Sequence, residues 1–166
     1  SGIPAIASVG TYNLTFTASN GVGPNATQGF TLTIDGPPGV ARINSSADTG
    51  DGQIDENEHT SVAITQLLVV FNKDMNAIEA QTTSNYSLFR NGVIPVSIDS
   101  ITYSSLTQTS TLSINGGAEL PNGNYTLTVE GDLRDTLGVP IGTDFVRVFY
   151  VDSGAPYPTS ILTVQG

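Results

Sequence analysis

Apolar and polar residues alternate with a period of two along most of the chain, whereas helical periodicity is almost absent. Between Tyr12 and Ala18, apolar residues at even positions alternate with Thr and Asn, which is the pattern of a half-buried strand. A turn rich in Gly, Asn and Pro follows, and the alternation then resumes at Phe30, Leu32 and Ile34. Residues 11–35 are therefore predicted to form a β-hairpin.

Strand patterns return at Val40 and continue to Asp152. The one weakly helical stretch, Met75–Gln81, is predicted to form a single turn. Short strands divided by Gly, Asn and Pro are typical of a sandwich or a barrel. The predicted strands are Val40–Asn44, Ser61–Ile64, Leu67–Asn72, Asn85–Phe89, Val93–Tyr103, Ser110–Asn115, Asn124–Glu130 and Phe145–Asp152.

Two prolines in the stretch Asp35–Gly39 predict a short stiff linker, because proline cannot donate to a strand ladder. We therefore expect a domain boundary here. Near the end of the chain, the apolar segment Ser160–Val164 could add one more strand. The predicted divisions are a terminal hairpin of an incomplete domain (1–35), a linker (36–40), a complete sandwich (41–152) and a tail or donor-like strand (153–166).

An internal repeat points to the type of sandwich. Gly10–Phe16 and Gly123–Val129 both read Gly-x-Tyr-x-Leu-x-apolar, and a final apolar strand follows each of them. This pattern is typical of the tyrosine-corner strand of an immunoglobulin-like sandwich, which is next to last in its domain. Only eleven residues precede Tyr12. Because such a sandwich needs about seven strands in about 100 residues, the first domain is expected to lack most of its strands.

Four motifs follow residue 41. The first is an apolar strand that ends in Phe-x-x-x-Met, Leu68–Met75. The next two are segments that contain Tyr, Asn85–Leu88 and Leu120–Tyr125, and the last is a Gly-x-Leu-x-Asp-x-x-Gly turn, Gly131–Gly138. With these motifs, residues 41–152 resemble the bacterial immunoglobulin-like domains of surface-layer and large secreted adhesive proteins. The resemblance implies an all-β, immunoglobulin-like Greek-key sandwich.

Three motifs of the first 35 residues, Ser1–Pro4, Gly10–Tyr12 and Thr17–Gly21, occur together in a second bacterial group. Residues 1–35 are similar to the end of this group's immunoglobulin-like domains, which are found in tandem arrays. Modules of both kinds serve mainly as spacers and adhesive stalks. The resemblance therefore implies a structural role rather than an enzymatic one.

Charge and composition narrow the classes of partner. Fifteen acidic residues against five Lys and Arg give a net charge of −10 over 166 residues, and the chain has no Cys. The negative charge argues against a nucleic-acid partner, because phosphate contacts need Lys and Arg. Membrane insertion is not expected because no apolar run approaches the roughly 18 residues of a membrane span. This balance fits an extracellular or cell-surface protein.

Residues that could carry catalysis are few. His59 is the single histidine, and no nucleophile motif accompanies it, so we interpret it as a solvated loop residue. Lys73 is the single lysine. It is either a surface residue, which we favour, or the partner of an Asn or Asp in a covalent side-chain bond. The chain is accordingly predicted not to be an enzyme.

An acidic loop, Asp48–Glu58, is a candidate calcium site. Calcium takes six to eight oxygen ligands, and Gly52 permits the sharp turn that would bring them together. The spacing departs from a calcium-loop pattern at its first two ligand positions, so a merely solvated loop is the alternative. Calcium is the one cofactor that the sequence suggests. The ligands that we favour are Asp48, Asp51 and Asp55.

The hairpin is also a candidate assembly surface. An isolated two-stranded hairpin is marginal in water, so its apolar face is expected to be covered. The cover could be the second domain, chain that is missing, or a neighbouring subunit, and we favour the subunit. A head-to-tail contact of this kind would propagate into a homo-oligomer or filament. The expected residues are Tyr12, Leu14, Phe16, Phe30, Leu32 and Ile34, with Ile161 and Val164 of the tail.

Together, these features predict a non-enzymatic structural module of a bacterial extracellular fibre, surface layer or adhesin stalk that assembles head to tail. One alternative is a calcium-dependent adhesin module that binds a ligand or glycan. The other is an accessory immunoglobulin-like module of a larger secreted hydrolase.

Overall fold

A computed structural model describes residues 9–47 and 51–152. The chain divides into two compact units, Ser1–Pro37 and Pro38–Gly166. The first unit contains the predicted hairpin, in which β1 (Gly10–Ala18) pairs antiparallel with β2 (Ala26–Ile34). The pairing continues without a register shift over the nine residues of each strand.

The second unit is an all-β sandwich of two sheets. A four-stranded sheet has the order β3-β5-β9-β8, and a five-stranded sheet has the order β4-β11-β10-β6-β7. All neighbouring strands are antiparallel except β4 and β11, which are parallel. The strands are β3 (Val40–Ser45), β4 (Glu58–Thr60), β5 (Gln66–Phe71), β6 (Tyr86–Arg90), β7 (Ile94–Pro95), β8 (Ile98–Ser104), β9 (Thr109–Ile114), β10 (Gly123–Val129) and β11 (Phe145–Val151).

A short α-helix, α1 (Ala77–Ala80), lies within the predicted turn Met75–Gln81, and two 3-10 helical turns lie at Thr83–Asn85 and Asn115–Gly117. The Asn76 side chain caps α1 by accepting hydrogen bonds from the N–H groups of Ile78 and Glu79. No helix in the described part of the chain has the length and apolar character that crossing a membrane requires.

Two strand predictions are wrong. Ser61–Ile64 is not a strand, and the chain pairs with β11 slightly earlier, at Glu58–Thr60. Ile64 is nevertheless fully buried and its carbonyl accepts a hydrogen bond from Leu120 N–H, so its apolar character reflects packing rather than pairing. Val93–Tyr103 is not one strand either. It divides after Pro95 because β7 belongs to the five-stranded sheet and β8 to the four-stranded sheet.

The core lies between the two sheets, and the longer strands fill it mainly with alternate residues. From the four-stranded sheet, Leu67, Val69 and Leu112 are fully buried. From the five-stranded sheet, the ring of Tyr125 stacks on that of Phe149 with centroids 5.4 Å apart. The period-two pattern of the sequence thus places one side of each sheet in a shared core.

The Tyr125 ring also forms the corner that the repeat predicts. Its hydroxyl donates a hydrogen bond to the carbonyl of Pro121, four residues upstream. The ring itself is fully buried. The β10 strand is thereby tied to the loop that leads into it, as in a tyrosine corner.

The motif Gly131–Gly138 is a turn held by a buried carboxylate. Asp135 is 4% exposed, and one of its oxygens accepts hydrogen bonds from the N–H groups of Leu137 and Val139, both at 2.9 Å. A Cβ at Gly131 would lie 2.7 Å from the backbone of Thr143, so only glycine fits there. The residues of this motif therefore have structural roles.

Candidate functional site

The hairpin presents one apolar face to solvent. The register places Tyr12 opposite Leu32 and Leu14 opposite Phe30, so the even-numbered residues share a side. Five of these side chains are between 38% and 62% exposed, with Phe16 the most exposed. We call this set the hairpin face. It consists of Tyr12, Leu14, Phe16, Phe30, Leu32 and Ile34.

The second copy of the internal repeat shows how a similar strand behaves when it is covered. Tyr125 and Leu127 of β10 are fully buried against the opposite sheet. Tyr12 and Leu14 occupy the matching positions of β1, and both are 40% exposed. The same alternation is therefore buried in the sandwich and exposed in the hairpin.

The opposite side of the hairpin is lined by threonine. Thr11 faces Thr33, Thr17 faces Thr27, and the Thr31 hydroxyl donates a 3.1 Å hydrogen bond to the side-chain oxygen of Asn13. No charged residue occurs before Asp35 in the sequence. The hairpin thus has one apolar face, one uncharged polar face and no ionic group.

The sequence also assigned Ile161 and Val164 of the tail to this surface. Both residues lie outside the described part of the structure. Their participation stays a prediction.

Two carboxylates of the acidic loop accept hydrogen bonds from backbone N–H groups of the same loop. An Asp51 oxygen accepts a 2.9 Å hydrogen bond from Gln53 N–H, and a Glu58 oxygen accepts one of 2.6 Å from Asp55 N–H. Among residues 9–47 and 51–152, no three His, Cys, Asp or Glu side chains are grouped closely enough to hold a metal. Asp48 lies outside the described residues, so calcium binding by Asp48, Asp51 and Asp55 stays a prediction.

One acidic residue of this loop has a role that the sequence did not reveal. A Glu56 oxygen accepts a 3.1 Å hydrogen bond from Val148 N–H and lies 4.0 Å from Arg147 Nε. This contact fixes the loop to β11 beside the short strand β4. Sequence separation hides it, because the two residues are 92 positions apart.

His59 is exposed, but it is not a loop residue. It lies in β4, and its ring stacks on Tyr150 with centroids 4.3 Å apart and planes 7° apart. The parallel pairing of β4 with β11 places the two rings side by side. The interpretation as a solvated loop residue is therefore wrong about the element. Lys73, after β5, is partly buried.

The outer side of the four-stranded sheet forms a shallow groove of about 360 Å³. The carboxamide oxygen of Asn44 is buried there and has no hydrogen-bond partner among the described residues. The sequence did not indicate the groove because strand pairing assembles it from four separate segments. Its lining consists of Arg42, Asn44, Leu68, Val70, Thr102, Tyr103, Ser104, Thr107, Thr109 and Thr111.

Comparison with known proteins supports the fold. No protein-family model matches the sequence, and no curated protein matches it either. Solved structures of a bacterial S-layer protein, SbsC, are similar to 72% of this chain. The N-terminal part of SbsC matches with a TM-score of 0.51 at 18% identity, and the fragment rSbsC(31-844) with 0.50 at 21%. A third structure, of SbsC domains 1-6, gives 0.50 at 20%.

The chain spans 24% of the first of these SbsC structures and 14% of the other two. At these identities, the similarity shows a shared fold.

Proposed function

We propose that this protein is a non-enzymatic structural module of a bacterial cell-surface layer, located outside the cell. The observation that carries the proposal is the sandwich fold shared with the S-layer protein SbsC. The exposed hairpin face adds to it, since a solvent-facing apolar surface on a soluble protein marks an interaction site.

Within this proposal, the sandwich is of the immunoglobulin-like type. That type places strands ABED in one sheet and CFG in the other. When the letters are assigned along the chain, the order β3-β5-β9-β8 in the four-stranded sheet corresponds to A-B-E-D. In the five-stranded sheet, β6, β10 and β11 correspond to C, F and G. The tyrosine corner at Tyr125 supports the same assignment, since it lies on the strand that corresponds to F.

The proposed module acts through self-association rather than through chemistry on a substrate. The hairpin face supplies apolar contact, and the threonine side supplies uncharged polar contact. A ligand-binding adhesin is the alternative, and binding of the isolated protein to a glycan array would favour it.

Immunogold electron microscopy of the source bacterium tests the location. An antibody raised against this chain should label the outer surface of intact cells, while an antibody against a ribosomal protein should label only permeabilised cells. Labelling by both antibodies only after permeabilisation would contradict the proposal.

A further inference from the structure

The sandwich protects each of its four sheet edges against pairing with another chain. Exposed edges are commonly blocked by short strands, charged residues, proline or bulges. Here β4 has three residues, including Glu58, and β7 has two and ends at Pro95. The edge strands β3 and β8 each contain a register shift, and they carry Arg42 and Asp99 respectively.

The hairpin has none of these protections. Strand β2 is nine residues long, contains no charged residue and no proline, and pairs with β1 without a bulge. Among the described residues, β2 pairs with β1 on one side and with no strand on the other. A long, regular, uncharged edge of this kind is a template for a further strand.

The distribution of charge indicates what that strand belongs to. All 15 acidic and all 5 basic residues lie at or after Asp35. Two copies that approach through their sandwich units would therefore bring net negative charge together, whereas the hairpins meet without repulsion. A second copy of the hairpin is thus the electrostatically favoured neighbour.

We propose that the outer edge of β2 pairs antiparallel with β2 of a second copy of this chain. The contact uses the same strand in both copies, so it is isologous and closes as a two-fold dimer. It forms a four-stranded sheet whose new ladder consists of main-chain hydrogen bonds. This inference rests on the proposed self-association and specifies where it begins.

The pairing also joins the two hairpin faces. Phe30 and Leu32 are two positions apart on β2 and therefore share one side of the strand. The two-fold axis of an antiparallel edge pair is perpendicular to the sheet, so their counterparts in the second copy lie on that same side and contact them. The threonine sides of the two hairpins likewise join into one polar side of the four-stranded sheet. Edge pairing therefore doubles the apolar surface that is available to further partners.

Two matched double variants test the contact. T27K/T33K places two lysines on the polar side of β2, and T11K/T17K places them at the directly opposed positions of β1. Both variants change the net charge by the same amount, and both add two lysines to the polar side of the same hairpin. Sedimentation velocity of the full chain across a concentration series should show a wild-type dimer that T27K/T33K weakens at least about tenfold, with T11K/T17K close to wild type.

Hydrogen exchange of the backbone amides provides the second measurement. In the wild type, protection of the outer-edge amides of β2 should rise with protein concentration, together with the dimer fraction. A monomer at all concentrations, equal weakening by the two double variants, or β2 protection that is independent of concentration would each overturn the proposal. The last result would show that the chain covers its own edge. These outcomes are independent of surface labelling, so the two proposals can fail separately.

Discussion

At the scale of single residues, the groups that look chemically distinctive serve the structure. Tyr86 is buried, and its hydroxyl donates to the carbonyl of Ala80 and lies 3.0 Å from the Ser110 hydroxyl. The Tyr103 hydroxyl donates to Asp74 and accepts from Met75 N–H. The first contact joins α1 to β6 of the five-stranded sheet and to Ser110 of the four-stranded sheet. The second joins the segment that follows β5 to β8. The polar groups therefore hold elements of the sandwich together.

Replacing the buried carboxylate of Asp135 should destabilise the sandwich. Asp135→Ala leaves the N–H groups of Leu137 and Val139 without their acceptor, and hydrogen bonds to a charged group contribute about 1.5–3 kcal/mol. We expect the free energy of unfolding to fall by about 2 kcal/mol, measured by urea denaturation. The control is Asp132→Ala, which is exposed in the same turn. Equal losses in the two variants would show that the buried bonds are not responsible.

Two tyrosines should make the sandwich sensitive to alkali. Burial raises the pKa of Tyr86 and that of Tyr103 to about 12. Because an unfolded tyrosine ionises near pH 10, the unfolded chain loses these protons first, and the stabilising contribution is complete below pH 10. Thermal melts should therefore show a melting temperature that falls between about pH 10 and pH 12.

The variants Tyr86→Phe and Tyr103→Phe separate this effect from general alkaline denaturation. Each variant removes one titrating hydroxyl, so the fall in melting temperature over that interval should become smaller than in the wild type. An unchanged fall in both variants would contradict the assignment.

At the scale of elements, the same local pattern has two outcomes. Strands β1 and β10 share the repeat Gly-x-Tyr-x-Leu-x-apolar, and each pairs with the strand that follows it. Tyr125 and Leu127 of β10 are fully buried between the two sheets of the sandwich, whereas Tyr12 and Leu14 of β1 are each 40% exposed.

Truncation at matched positions of the repeat measures this difference. Leu127→Ala removes a fully buried side chain and should lower the free energy of unfolding by about 2–5 kcal/mol. Leu14→Ala removes a side chain that is 40% exposed, and at concentrations where the protein is monomeric it should cost less than about 1 kcal/mol. Similar losses in calorimetry would show that the hairpin face is covered within the chain.

At the scale of the whole molecule, the two units differ in charge as well as in packing. The sandwich unit carries nearly all of the charge, including the acidic loop, and the hairpin residues carry none. The sandwich has a buried core and a negatively charged surface. The hairpin has an uncharged surface with one exposed apolar side. This division agrees with the proposed self-association, in which the uncharged hairpin makes the contact and the charged sandwich does not.

Calcium should stabilise the whole molecule if the acidic loop binds it. A ligand that binds only the folded state adds about 2.7 kcal/mol at a free concentration a hundredfold above its Kd. The melting temperature should therefore rise with millimolar calcium and fall back with a chelator, and Asp51→Asn with Asp55→Asn should abolish the rise. Asp132→Asn, outside the loop, is the control. An equal melting temperature in calcium and in chelator would contradict this prediction.

Periodicity in the sequence predicted the strands well because alternation records which side of a strand is buried. The hairpin, the four-residue helix and the strands β5, β6, β9, β10 and β11 lie within about a residue or two of their predicted bounds. The predictions failed where the burial of apolar side chains does not follow the pairing of strands. At Ile64 an apolar residue is buried without being in a strand, and at Pro95 the chain changes sheets within one apolar stretch.

The sequence by itself determined the all-β class, the alternation of each strand and the turn motifs, because these depend on residues that are close along the chain. Tertiary structure alone decided the strand order, the contact of Glu56 with β11, the groove and the stacking of His59 on Tyr150. It also decided that β10 is buried while β1 is exposed. The physical reason is that burial depends on which surface lies opposite, and the sequence of one strand does not contain that surface.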